Sequence, residues 1–254
     1  MNDAFANILT EAGKIAQDSR KDLQFHLKRD RSIVTNGDQS VEAFLRDSLA
    51  PLEPDASFWG EEGPYEEPKE EGFWLVDPID GTSNYAYNGP LWGVSVAFYK
   101  QGNLRYGGIY LPDLNELVIA EEKLGAKRNG KPIPKMVSGE IKDYELVACT
   151  ESIIRKVSID QFPGKPRLSG AFVTNAMFTI FGYHRALFAS REKLYDIAAS
   201  IVIAREVGAD VRYLNGEPFL EKDLLADKPV NKLWGILPPD SQLHINLEIL
   251  ATGS

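Results

Sequence analysis

Apolar residues in the first segment recur at helical spacing. Phe5, Ile8, Leu9, Ala12, Ile15 and Ala16 share one face, and Asn2 or Asp3 is placed to cap the helix. Residues 39–52 repeat the pattern with Val41, Phe44, Leu45 and Leu49, until Pro51 and Pro54 stop it. Residues 61–72 are acidic, with Pro and Gly, and read as a surface loop. Beyond them the period falls to that of a strand. Phe73-Trp74-Leu75-Val76 is a short apolar strand ending at Asp77-Pro78, and strand-like runs follow at 94–99, 105–111 and 117–120. Asn129-Gly130 marks a hairpin, because a type I′ turn needs positive φ at both central residues. The middle third therefore reads as an antiparallel sheet. Later segments alternate: a strand at 146–149, a helix at 169–181 stopped by Gly182, and a strand at 186–189. A helix at 195–207 stopped by Gly208, a strand at 232–237 and a final helix at 241–251 complete the chain. The pattern predicts an α/β chain of two packed lobes. Residues 1–140 form an N-terminal α+β lobe with the antiparallel sheet, and 141–254 a C-terminal α/β lobe.

Composition narrows the function. Hydrophobic residues are 43% and charged residues 26% of 254, ordinary for a soluble globular protein of this length, which needs no disulfide to fold. Lys+Arg 28 against Asp+Glu 37 gives −9, which disfavours nucleic acid and anionic membranes as partners. No apolar run reaches a membrane span of roughly 18–20 residues. The N-terminus lacks the layout of a secretion signal. Cys149 is the only cysteine, which excludes an internal disulfide and suits a cytoplasmic location. With only His26, His184 and His244, any metal chemistry falls to carboxylates.

The strand at 73–76 runs into Asp77-Pro78-Ile79-Asp80-Gly81-Thr82. Two carboxylates three residues apart, with Pro78 fixing the bend, can aim at one centre beside the Ile79 carbonyl. Gly81 lets an anion approach the backbone, and all-oxygen ligands suit Mg²⁺. A plain β-turn with Pro, Asp and Gly is the other reading. Glu61 follows the apolar Phe58-Trp59 and is a candidate ligand at a strand end, whereas Glu62 and the acids up to Glu71 read as solvated. Asp196 opens a helix that is apolar nearly all round, so its carboxylate needs a partner: the helix N-terminus or a metal. Asp38 precedes the second helix and is either its N-cap or functional. Residues 125–131 match P-loop spacing, but Pro132 stands where Ser or Thr is required, and the Asn129-Gly130 turn accounts for them better.

Taken together, these residues resemble the inositol monophosphatase family of Mg²⁺-dependent, lithium-sensitive sugar phosphatases. The resemblance rests on residues 74–84 followed by 91–97, on Leu194-Tyr195-Asp196-Ile197-Ala198-Ala199 leading to residues 205–208, on Gly60-Glu61-Glu62, on residues 35–39 and on residues 167–170. It implies a layered αβαβα sandwich, a homodimer, and hydrolysis of a small phosphorylated polyol or sugar by two or three Mg²⁺ ions. Glu61, Asp77, the Ile79 carbonyl, Asp80 and Asp196 would bind metal. Thr82, Asp38 and Glu61 would serve catalysis, with Thr82 and Asp38 bordering the attacking water. Gly81 and Thr82 would hold phosphate, while Gly170, Ala171 and Arg191 would face the substrate. The chain departs from the pattern at Ala189, where the family's inositol enzymes carry an acid, at Phe172, and in a short stretch between Thr150 and Arg167. With Arg167, His184, Arg185, Arg191 and Lys193 supplying positive charge nearby, Ala189 implies that inositol 1-phosphate is not the best substrate. The alternatives are a fructose-1,6-bisphosphatase, histidinol-phosphatase or 3′-phosphonucleotidase of the same superfamily, or a non-catalytic regulatory relative.

Overall fold

The computed structural model describes residues 2–28, 32–64, 66–67, 69–155, 162–225 and 228–243. Helix α1 (Asn2–Ser19) buries Phe5, Leu9, Ala12 and Ala16 along one stripe. The ribbon β1 (Phe25–Leu27) and β2 (Ile33–Thr35) leads into α2 (Asn36–Leu49). Strands β3 (Ser57–Gly60) and β4 (Phe73–Asp80) follow, then the short helix α3 (Thr82–Ala86). Next come β5 (Gly93–Lys100), β6 (Asn103–Leu111), β7 (Glu116–Glu121), β8 (Gly125–Arg128) and β9 (Lys131–Pro132). The remaining elements are β10 (Leu146–Cys149), α4 (Glu151–Ile154), β11 (Lys165–Arg167), α5 (Phe172–Ile180), β12 (Ala186–Ala189), α6 (Leu194–Glu206), β13 (Asp210–Tyr213) and β14 (Trp234–Leu237).

Strand β4 is apolar on both faces, so its sheet must be covered twice. Trp74 and Val76 join the core with Phe5, Leu9 and Leu45 of α1 and α2, while Phe73 and Leu75 join the core with α5 and α6. The sheet has seven strands in the order β3-β4-β5-β6-β7-β8-β9, antiparallel except for the parallel β3–β4 pair. A second, five-stranded sheet has the order β11-β10-β12-β14-β13. Its Ala148, Leu187 and Ala189 face the α5–α6 core, and its Val147, Cys149 and Phe188 face an outer core with Ile153 of α4. The layers are therefore α1–α2, seven-stranded sheet, α5–α6, five-stranded sheet and α4, an αβαβα sandwich. Helix α6 is apolar all round because it lies between two sheets.

Several expectations change. Helix α1 begins at Asn2, so Asp3 lies inside its first turn. Helix α2 begins at Asn36, so Thr35 is its N-cap and Asp38, the third helical residue, completes a capping box. The strand expected at 73–76 extends to Asp80. Helix α5 starts at Phe172, not 169, because Gly170 has φ +82 and Ala171 is extended. Asn129 and Gly130 have φ +47 and +77 in the β8–β9 turn, as the hairpin requires. Residues 241–243 are not helical, and the rest of the helix expected at 241–251 falls outside the described residues.

Gly107 sets the spacing between the seven-stranded sheet and α6. A Cβ there would lie 2.7 Å from the Ala199 carbonyl oxygen, a backbone atom that cannot step aside. Gly107→Ala is expected to cost about 1–3 kcal/mol and to lower Tm by roughly 2–10 °C, measured by calorimetry. An unchanged Tm would show that α6 can shift outward freely.

Candidate active site

The parallel β3–β4 pairing continues past Gly60↔Val76, with the Glu61 N–H donating to the Val76 carbonyl at 3.1 Å. This places Glu61 beside Asp77. The register with β5 then slips, Asp77 opposing Ser95 and Asp80 opposing Gly93. The bulge turns the end of β4, and Pro78 there has no N–H to lose from the ladder. Ile79 N–H donates to Asp77 Oδ1 at 3.1 Å. Asp196, in the first turn of α6, accepts the Lys193 N–H at 2.7 Å. Glu61, Asp77 and Asp196 each offer an oxygen within 4.8 Å of the others. Asp80 lies outside that trio: its Oδ2 accepts the Val173 N–H at the start of α5. It still lines the same cavity of about 350 Å³.

The other expected residues fall around this cluster. The Thr82 hydroxyl donates to the Ile79 carbonyl at 3.0 Å and lies 3.5 Å from Asp38 Oδ1. The carbonyl's second lone pair leaves it able to coordinate. Asp38 is fully buried and accepts the Thr35 N–H and hydroxyl at 2.8 and 2.5 Å. Gly81 has φ +85, and a Cβ on it would meet Ala171 Cβ at 2.6 Å, so α3 and the start of α5 touch there. Asn84 ties the same junction by donating to the Leu91 and Ser169 carbonyls at 2.6 and 2.8 Å. Phe172 and Arg191 line the cavity; Gly170 and Ala171 are behind its wall, packed on Asn84 and Gly81.

Burial and mutual repulsion dominate the electrostatics. Burial, then Glu61, Asp80 and Asp196, push Asp77 well above the usual carboxylate range. Asp196 is raised by burial and by Glu61. Burial lifts Asp80 to about 7 against the Val173 N–H, and Asp38 to about 6 against its Thr35 hydrogen bonds. Such a cluster calls for a cation, and its all-oxygen donor set fits a hard divalent ion such as Mg²⁺.

The sequence profile of the inositol monophosphatase family matches residues 2–238. The chain belongs to this family. It is 30% identical over 192 residues to the fructose-1,6-bisphosphatase/inositol-1-monophosphatase of Thermotoga maritima, covering 74% of this chain and 73% of that protein. It is 39% identical over 126 residues to the histidinol-phosphatase of Chlorobaculum parvum, covering 48% of each. A solved IMPase from Thermotoga maritima superposes with a TM-score of 0.81 at 24% identity, over 92% of this chain and 91% of that one.

Within this member of the inositol monophosphatase family, three features escaped the sequence reading. Lys28 reaches from the β1–β2 ribbon to Glu61 and Glu62 at 3.1 and 2.7 Å. Glu62 is therefore not a solvated loop acid, and burial lifts its carboxyl to about 7. Ala189 is fully buried between the sheets, so its side chain is part of the core and not of the cavity; away from the cluster the acids that line the cavity are Glu151 and Glu192. The positive wall also breaks up. Of its five residues only Arg191 lines the site, while His184 and Arg185 line a different cavity, where Arg185 donates to the Val137, Ser138 and Gly139 carbonyls. Spacing along the chain could not reveal these placements, because each depends on a loop's path.

The raised carboxyl groups make the metal-free protein pH-sensitive in a defined direction. A carboxyl raised in the folded state binds protons that the unfolded chain has already released, so stability falls as pH climbs from the unfolded value near 4 through the folded one. Without divalent ions, Tm is expected to fall between about pH 5 and pH 8, and saturating Mg²⁺ should flatten that fall. Asp77→Asn should raise the metal-free Tm at pH 8 and abolish the Mg²⁺-induced rise. A metal-free Tm that climbs over this range would contradict the assignment.

Proposed function

We propose that the chain hydrolyses the phosphate monoester of a small polyol or sugar, with Mg²⁺ as cofactor. The convergence of Glu61, Asp77 and Asp196 within 4.8 Å, in a cavity also lined by Asp80, Gly81 and Thr82, carries this reading. These four carboxylates and the Ile79 carbonyl would hold two or three Mg²⁺ ions. When bound, the metal supplies charge neutralisation at the phosphoryl oxygens and acidifies the attacking water. The N–H groups of Gly81 and Thr82 would grip the phosphate. Thr82 would orient the water, its hydroxyl held between the Ile79 carbonyl and Asp38. Asp38, lifted to about 6 by burial, suits a group that takes a proton near neutral pH. Phosphoryl transfer makes little covalent demand, so positioning does most of the work and water attacks directly. Arg191 would border the leaving group, with Gly170 and Ala171 shaping the wall from behind.

The same reading places the two lobes at 1–140 and 141–254, the first holding the seven-stranded sheet and the second the five-stranded one. It also takes the protein as a cytoplasmic homodimer. No helix among the described residues is long and apolar enough to cross a membrane.

Phosphate release from a panel of phosphomonoesters, with and without Mg²⁺, tests the reaction. Mg²⁺-dependent turnover is expected, and Asp80→Asn should reduce it at least about a hundredfold while the fold persists by circular dichroism. Thr82→Ala should lower kcat much more than it raises KM, since its hydroxyl acts in the transition state. Lithium should inhibit. No turnover on any ester, or full activity in Asp80→Asn, would refute the reading.

A further inference from the structure

Of the three clustered acids, Glu61 alone lies beyond the end of its element. Strand β3 stops at Gly60, whereas Asp77 is inside β4 and Asp196 inside α6. The Glu61 N–H bond to Val76 fixes one side of the turn that follows β3. The other side is fixed from α2. That helix places Asp38 in its first turn and Glu42 one turn later on the same face, and both side chains are buried. Glu42 Oε2 accepts the Glu62 N–H at 2.8 Å, and the Gly63 N–H serves the same carboxylate. The Glu62 side chain itself turns away to Lys28. Glu42 therefore grips the backbone immediately after Glu61.

Room for this grip accounts for two glycines. Neither Gly60 nor Gly63 has the positive φ that favours glycine. A Cβ on Gly60 would collide with Glu42 Oε2, and one on Gly63 would lie 2.6 Å from Oε1. The turn Gly60-Glu61-Glu62-Gly63 thus wraps one carboxylate. A cation is not that carboxylate's main partner. Arg46 is 3.8 Å away, and its guanidinium is shared with Glu66 and the face of Phe58. Burial pushes the Glu42 carboxyl up, and the charge of Glu61 adds to the effect. An apolar side chain at this position would avoid that penalty but leave the Glu62 and Gly63 N–H groups without their acceptor.

We infer that Glu42 is a positioning residue for metal binding, setting the Glu61 carboxylate at the cluster by holding the backbone of the turn after β3. This rests on the metal half of the phosphatase reading. It goes further by tracing the affinity for the cation to a side chain of α2 that does not line the cavity.

Calorimetric titration of the full chain with Mg²⁺ alone, with Tm measured on the same samples, tests the inference without any substrate. Glu42→Ala should weaken Mg²⁺ binding about 10- to 100-fold, the range for loss of a group that orients a ligand. Gly60→Ala should do the same with Glu42 still present, because the added methyl displaces the carboxylate, and it carries the test where Glu42→Ala does not fold. Glu42→Gln keeps an acceptor oxygen for the Glu62 N–H and should recover the greater part of the affinity. Leu49→Ala is the control. It opens a cavity on the core face of the same helix and should lower Tm, yet leave Mg²⁺ affinity within about twofold. Unchanged affinity in Glu42→Ala and Gly60→Ala overturns the inference. A Glu42→Gln variant no better than Glu42→Ala also overturns it, by assigning the effect to charge alone. So does a Leu49→Ala variant that loses as much affinity, by assigning it to general loosening of α2. A wild type that binds no Mg²⁺ overturns the metal reading itself, and the inference with it.

Discussion

Carboxylates of Glu61, Asp77 and Asp196, held within 4.8 Å of one another, repel unless a cation lies between them, and much of the surrounding structure serves to resist that repulsion. Each acid comes from a different element. Glu61 leaves the end of an edge strand, Asp77 belongs to a strand paired on both sides, and Asp196 starts a helix wedged between two sheets. No single element can relax without breaking a sheet register or opening a core. The parallel β3–β4 pair is the exception in an otherwise antiparallel sheet, and it is the pair that brings Glu61 to Asp77.

Around the cluster, neutral donors do what a single counter-charge cannot. Val173 N–H holds Asp80, Lys193 N–H holds Asp196, and Thr35 holds Asp38 twice. Backbone donors are fixed by their elements, so they orient a carboxylate without competing for the place of a mobile cation. Lys28 is the contrast. It is a mobile charge on a two-stranded ribbon, paired to Glu61 and Glu62 at the mouth. Its attraction to Glu61 competes with that of a cation at the same carboxylate.

What the sequence made legible follows from this division. Asp77-Pro78-Ile79-Asp80-Gly81-Thr82 is contiguous, and a bulged strand end with a left-handed glycine has a residue signature. The apolar faces of α1, α2 and α6 were readable because a core imposes a period. Strands β1, β3 and β11 have only three or four residues, too few to show alternation. Asp38 looked like a cap at a helix start, and the true cap is Thr35; the capping box and the proximity to Thr82 use the same carboxylate, so local spacing could not separate the two roles. Lys28 and Glu62 lie more than thirty residues apart, and nothing in either neighbourhood announces the other.

The two sides of the cavity differ in how they tie sequence to position. On the metal side, strand registers fix each acid, so counting residues locates it. On the leaving-group side, counting back from Asp196 leads to Ala189, yet β12 ends there with that side chain in the core. The four residues before α6 then turn through Arg191 at φ +80 and present Glu192 instead. The left-handed turn at Arg191 leaves no trace in composition or period. Placement on the leaving-group side therefore follows the path of a short turn, while placement on the metal side follows strand register. A matching motif for the second says little about the first.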